Sequence, residues 1–235
     1  MMEYYSLNNQ ITNLWNKFSA LFDDYFKEIM NRVPSYLNKP KSNNKILFIG
    51  LNPAYKVREV THKDFINYCY KPEISIDEII NFCQINEDSK NPEKTKLYYG
   101  KYFNILHNFA KNLGEDGFEH CDLFLMRETN SKIVKQMVEN TDGVLNEFGI
   151  EQLNILKIHI ENLNPKVIII PNAMAAEYYR QIILYNSTVD KEKGFYYTEI
   201  NNKKIPTILC GSWQYGRLDK YTEAILVRHI KTAIN

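Results

Sequence analysis

Residues 45–54, Lys-Ile-Leu-Phe-Ile-Gly-Leu-Asn-Pro-Ala, set four large apolar side chains in a row directly before a glycine. So short an apolar run, bounded by turn residues, reads as a strand buried on both faces of a parallel sheet. Gly50 allows a tight turn, Leu51 follows it, and Pro53 stiffens the loop. The stretch therefore predicts a buried first strand feeding a short loop. Asn52 is the chemical group of that loop, with an amide able both to donate and to accept hydrogen bonds.

Working outward, three more strands are predicted: Cys121 to Met126, Lys166 to Ile170 after Pro165, and Ile205 to Cys210 ending at Gly211. Helical spacing lies between them, over Tyr98 to Leu113, Ile150 to Leu163, Ala173 to Leu184 and Asp219 to Ala233. Strands alternating with helices imply crossover units, so the predicted fold is α/β, a three-layer α/β/α sandwich on a central, mainly parallel four-stranded sheet. Phe195 to Ile200 reads as an extra strand, paired through a hairpin turning at Asn201-Asn202. Ahead of the sheet, Ile11, Leu14, Trp15, Phe18, Leu21, Phe22, Tyr25, Phe26 and Ile29 share one helical face. This predicts one long helix, closed by Pro34 and Pro40, so that residues 1–40 form a helical extension packed on a single domain spanning 1–235.

Bulk properties exclude more than they assign. With 44% hydrophobic and 24% charged residues, the chain has the composition of a globular protein. No apolar run reaches the roughly 20 residues that span a bilayer, so no membrane partner is expected. The N-terminus lacks the basic-then-apolar pattern of a secretory signal, and a cytoplasmic address is expected. Cys69, Cys83, Cys121 and Cys210 form no close pair, which argues against a zinc ribbon or a disulfide framework and predicts free thiols and no metal. A formal charge of +1 points to no partner, although lysines gather at Lys191, Lys193, Lys203 and Lys204.

In open α/β sheets ligands bind beyond the carboxyl ends of the strands. Four stretches occupy that position: Gly50 to Tyr55, Arg127 to Asn130, Pro171 to Ala173, and Gly211 to Arg217. All carry polar groups. Taken alone, Asn52 either orients a water molecule or caps its turn, Arg127 and Glu128 are either catalytic or an ion pair, and Asn172 and Asp219 read best as helix caps.

The same stretches carry a resemblance. Gly50-Leu51-Asn52-Pro53-Ala54 resembles the first motif, G-x-N-P-G, of the mismatch-specific and thymine/uracil branches of the uracil-DNA glycosylase superfamily. Cys121 to Asn130 is similar to the strand and R-x-T loop of those branches, and Asn164 to Ala173 to their later strand and its following N/G element. His120-Cys-Asp-Leu-Phe-Leu-Met-Arg127-Glu128-Thr129, Asn172-Ala173 and Gly216-Arg217-Leu218-Asp219 further resemble a glycosylase-like set within the superfamily. The likeness runs over roughly residues 45–233. It departs at the last loop, where Gly211-Ser212-Trp213-Gln214 stands in place of His-Pro-Ser or Asn-Pro-Ser, and in lacking the close cysteine pair of the iron–sulfur branches.

The resemblance implies a DNA partner and base release without metal or cofactor. Asn52 would place the attacking water, and backbone N–H groups of residues 51–55 would steady the departing base. Arg127 and Ser212 would complete the catalytic group. Tyr55 would stack on the flipped base, while Thr129, Asn130 and Asn172 would contact base or phosphate. Ser212, Gln214 and Arg217 would also grip the backbone, and Trp213 or Tyr215 would fill the gap in the stack. Two other readings stay open: a degenerate glycosylase-like protein that binds nucleic acid or a modified base without cleaving it, and a hydrolase using Cys210 or Ser212 as nucleophile. The long insertion over residues 55–97 reads as a lid, a substrate-reading arm or a packed helix.

Overall fold

The computed structural model describes residues 2–40, 45–55, 74–87, 100–211 and 219–234. The chain divides into two compact units, one of residues 1–39, 52–100 and 124–159, the other of residues 40–51, 101–123 and 160–235.

The second unit holds the sheet. Its strands are β1 (Ile46–Gly50), β2 (Glu119–Asp122), β3 (Val167–Ile170), β4 (Tyr196–Ile200) and β5 (Lys203–Leu209), in the order β2-β1-β3-β5-β4. The first four in that order are parallel, and β4 runs antiparallel to β5 at the edge. The sheet thus has five strands rather than four, because the Phe195–Ile200 segment joins it. Asn201 and Asn202 have φ of 49° and 62°, the doubly left-handed geometry of a tight hairpin turn that asparagine tolerates. Every residue from Ile46 to Ile49 and from Val167 to Ile170 is fully buried. Successive strand side chains point to opposite faces, so both faces of the sheet are covered.

Helices of the same unit are α4 (Gly100–Leu113), α7 (Ala173–Ile182) and α8 (Lys220–Ile234). Asn172 caps α7 by accepting from the Ala175 N–H at 3.0 Å. Asp219 does the same for α8, accepting from the N–H groups of Tyr221 and Thr222, each at 3.0 Å. Phe48 of β1 meets Phe109 of α4 edge-on, with centroids 6.3 Å apart.

The first unit is helical: α1 (Met2–Ser19), α2 (Asp24–Met30), α3 (Ile76–Glu87), α5 (Ser131–Val138) and the greater part of α6 (Glu147–Leu163). The single long N-terminal helix is in fact two. Asp23 breaks the run by accepting from the Phe26 N–H and starting α2 afresh, which leaves Leu21 and Tyr25 exposed. The rest of the apolar stripe behaves as its spacing predicts. Trp15, Phe18 and Phe22 gather on Phe148 of α6 at 5.1–5.6 Å between centroids. Within residues 55–97, Ile79 and Ile80 of α3 are buried, so this part is a packed helix; Cys69 and Tyr70 lie outside the described residues.

The second strand also differs from expectation. It spans Glu119–Asp122, and Leu123 to Met126 are buried without being strand. The Leu123 N–H still donates to the Gly50 carbonyl at 3.0 Å, but from there the backbone finds partners elsewhere: the Leu125 N–H donates to Gln152 Oε1 at 2.7 Å, and the Leu125 carbonyl accepts from the Ser35 N–H at 2.8 Å. An apolar run satisfied by a side-chain amide looks the same in sequence as one satisfied by a neighbouring strand. His120 is the second residue of β2, in register with Phe48.

Among the described residues, no helix is long and apolar enough to cross a membrane, and no cluster of His, Cys, Asp and Glu could hold a metal ion.

Candidate functional site

Two loops of the first unit, residues 52–55 and 126–130, interlock. Pro53 is buried and supplies a rigid turn, and its carbonyl accepts from the Glu128 N–H at 3.0 Å. The Tyr55 N–H donates to Thr129 Oγ1 at 2.9 Å, and the same hydroxyl donates to the Tyr55 carbonyl. Asn130 closes the second loop by capping α5, its Oδ1 accepting from the Lys132 N–H at 3.0 Å.

Asn52 sits where the loops meet. Its Nδ2 faces three carbonyl oxygens, of Pro53 at 3.1 Å, Met126 at 3.1 Å and Glu128 at 2.6 Å. Three acceptors around one end of an amide fix which end is nitrogen, because the flipped amide would set oxygen against oxygen. The side chain is half-buried, and Oδ1 accepts nothing from the described residues. The nitrogen of Asn52 therefore ties the two loops together.

Arg127 is buried, and its Nε donates to the Val33 carbonyl at 3.0 Å. That bond braces the loop against the segment after α2. Glu128 is in an ion pair, but with Arg32 and not with Arg127: its Oε2 accepts from Arg32 Nη1 at 2.9 Å, and Oε1 accepts from the Asn130 N–H at 2.8 Å.

Arg32 is the residue that the sequence did not disclose. Its Nη1 also donates to the Arg127 carbonyl at 2.7 Å, and Nη2 reaches Glu28 Oε1 at 3.3 Å. The guanidinium lies 3.9 Å from the centroid of the Tyr55 ring. Its Nε is buried and has no hydrogen-bond partner among the described residues. Trp15 fixes the start of this segment, its indole N–H shared between the carbonyls of Met30 at 2.8 Å and Arg32 at 3.0 Å. The only sequence signal was a lone arginine between an apolar helix and Pro34.

Gly50, Leu51 and Asn172 belong to the second unit, at the carboxyl ends of the neighbouring strands β1 and β3. Gly50 is needed for close approach rather than for a turn: its φ is not left-handed, but a Cβ there would overlap Asp122 Oδ1 and lie 3.4 Å from His120 Nε2. His120 Nε2 is 3.3 Å from the Tyr102 hydroxyl. Burial holds the His120 imidazole neutral, with its pKa lowered to about 4, and pushes the Tyr102 phenol and the Cys121 thiol up. Ser212, Trp213, Gln214 and Arg217 lie outside the described residues, as do Gly216 and Leu218.

No protein-family model matches the chain, and no curated protein matches it.

Proposed function

We propose that this chain is a monofunctional DNA glycosylase that hydrolyses the N-glycosidic bond of uracil or another altered base. The observation that carries the reading is the half-buried Asn52 amide, held by its nitrogen on three carbonyls while its oxygen accepts nothing from the described residues. A base must leave the stack before it can be cut, at a cost of a few kcal/mol. Water attacking the sugar carbon then needs an acceptor for its proton and a fixed line of approach. Asn52 Oδ1 is too weak a base to remove that proton in the ground state, but it orients the water while positive charge grows on the sugar. Positioning of this kind requires no reorganisation during the reaction.

Backbone amides steady the negative charge on the departing base, although Pro53 has no N–H and that of Tyr55 is spent on Thr129. Arg127 and Arg32 act by holding the loops rather than by touching the base. As the resemblance implies, Ser212, Gln214 and Arg217 grip the DNA backbone, and Trp213 or Tyr215 fills the gap in the stack.

A second reading is binding of an altered base without cleavage. It draws on the commitment of the Glu128 carboxylate to Arg32 and to the Asn130 N–H, which leaves it no ready general base.

A panel of single- and double-stranded oligonucleotides carrying uracil, hypoxanthine or a mismatched thymine, followed by alkaline cleavage at abasic sites, tests the proposal. Release of one of these bases, abolished in Asn52→Ala, is expected. Salt-sensitive binding with no abasic product selects the second reading, and neither binding nor product rejects both.

A further inference from the structure

A cavity of about 320 Å3 lies in the second unit, between the end of α7 and the start of β4. Arg180, Leu184, Tyr185, Thr188, Lys191 and Tyr196 are among its lining residues. We propose that this cavity is a nucleotide-binding site, taking phosphate on Arg180 and Lys191 and a base against Tyr185 and Tyr196. The inference is independent of the reaction assigned to Asn52.

Charge is the first argument. Arg180 and Lys191 are both exposed, and neither has an ion-pair partner among the described residues. The nearby acids are engaged elsewhere or turned away. Glu177 accepts from Gln181 Nε2 at 3.3 Å, and Glu199 faces Lys204 at 3.8 Å. Asp190 is folded into its own turn, with Oδ1 accepting from the N–H groups of Glu192 and Lys193 and Oδ2 from the Tyr197 hydroxyl. Glu192 does not line the cavity. The guanidinium of Arg180 is not needed to finish its helix either, because the Tyr179 carbonyl already accepts from the N–H groups of Ile183 and Leu184. Two cations without a carboxylate in one concavity make an anion site.

The rest of the lining narrows the anion. Tyr185 is 79% exposed and lines the cavity beside the buried Leu184, so its ring is open to a stacking partner. Tyr196 is half-buried at the sheet edge. Aromatic rings beside unpaired cations are the pairing that nucleotide units use, the base stacking and the phosphate neutralised. The volume lies at the low end of small-molecule sites, about 300–1,000 Å3, which fits one nucleotide rather than a larger cofactor.

The walls are fixed in advance. Ser187 donates its N–H to the Leu184 carbonyl at 2.7 Å and its hydroxyl to the Tyr197 carbonyl at 3.2 Å, which ties the loop to β4. Asp190 and Phe195, neighbours in sequence of the lining residues Val189, Lys191 and Tyr196, are joined by an isolated bridge. Little ordering is left to be done on binding.

Fluorescence anisotropy with a labelled oligothymidylate, together with titration of a thymidine mononucleotide and of inorganic phosphate, tests the site on the full chain. The double variant Arg180→Glu/Lys191→Glu should weaken nucleotide binding by roughly tenfold or more, and Tyr185→Ala by about fivefold or more. All three substitutions are on exposed side chains, and an unchanged melting temperature shows that the fold is kept. Loss of mononucleotide binding in the variants identifies a free nucleotide as the ligand, and loss of oligonucleotide binding alone identifies a single strand. The proposal is overturned if neither ligand binds more tightly than phosphate, or if the variants bind both within about twofold of the parent. Asn52→Ala should leave this binding intact.

Discussion

The guanidinium of Arg32 lies 3.9 Å from the centroid of the Tyr55 ring while its Nη1 is bonded to Glu128. One buried side chain thus holds both loops of the candidate site, one through an aromatic face and the other through a carboxylate and a carbonyl. The N-terminal helices are part of the site's construction for this reason.

Removing that cation should be costly. The side chains of Arg32 and Glu128 are 8% and 11% exposed, so Arg32→Met leaves a buried carboxylate without its counter-charge. A loss of about 3 kcal/mol is expected, read as a lower urea midpoint. Glu128→Gln should cost less, since its oxygen can still accept from the Asn130 N–H. The double variant should be more stable than the sum of the two single losses predicts.

Asn52→Asp separates the two ends of the amide. The substitution replaces the donor by a carboxylate oxygen facing three carbonyls. It should destabilise by about 2 kcal/mol or more, exceeding Asn52→Ala. The new carboxyl group would have its folded-state pKa raised above its unfolded value. Its folded form then binds more protons, so the variant should regain stability as pH falls and lose it as pH rises through the folded pKa. Thermal melts of the variant at pH 4.5 and pH 7.5, each referred to the parent at the same pH, would show it.

Gly50→Ala should cost about 1–3 kcal/mol, because the new methyl displaces the Asp122 carboxylate. The clash is with one side chain, so adding Asp122→Ala should recover most of the loss. A Gly50→Ala melt that is unchanged, or unrelieved by the second substitution, would contradict a close-approach role.

Stability should fall between pH 6.5 and pH 4. Burial lowers the pKa of both His120 and His159 to about 4, whereas the unfolded chain titrates near 6.5. Between those values the unfolded state binds more protons, so the stabilisation is complete above pH 6.5 and declines as pH falls toward 4. Replacing His120 by Phe and His159 by Leu should flatten urea midpoints measured across this window.

The centre of the sheet was legible because β1 and β3 are short and apolar throughout. Ile46–Ile49 and Val167–Ile170 could be little else, and the Asn201-Asn202 pair marked its own hairpin. Leu123–Met126 misled because burial alone does not distinguish a strand from a loop whose amides are satisfied by Gln152 and Ser35. The N-terminal break was signalled only by Asp23, an ordinary surface residue until its side chain is seen to cap.

The site was legible in part. Asn52, Thr129 and Asn130 lie in the interlocked loops that their motifs suggested, and Asn172 is a cap as its position before Ala173 indicated. Arg32 was hidden because it is 96 residues from Glu128, and no local pattern encodes a pairing at that separation.

Single-turnover base release from the panel's best substrate, compared between the parent and Asn52→Ala, tests the central claim most directly. A rate constant lowered by about 100-fold or more, with DNA affinity kept, is the predicted result, since positioning contributes in the transition state rather than to binding. A rate within about threefold of the parent, in a variant that folds and binds, would contradict Asn52 as the residue that places the water.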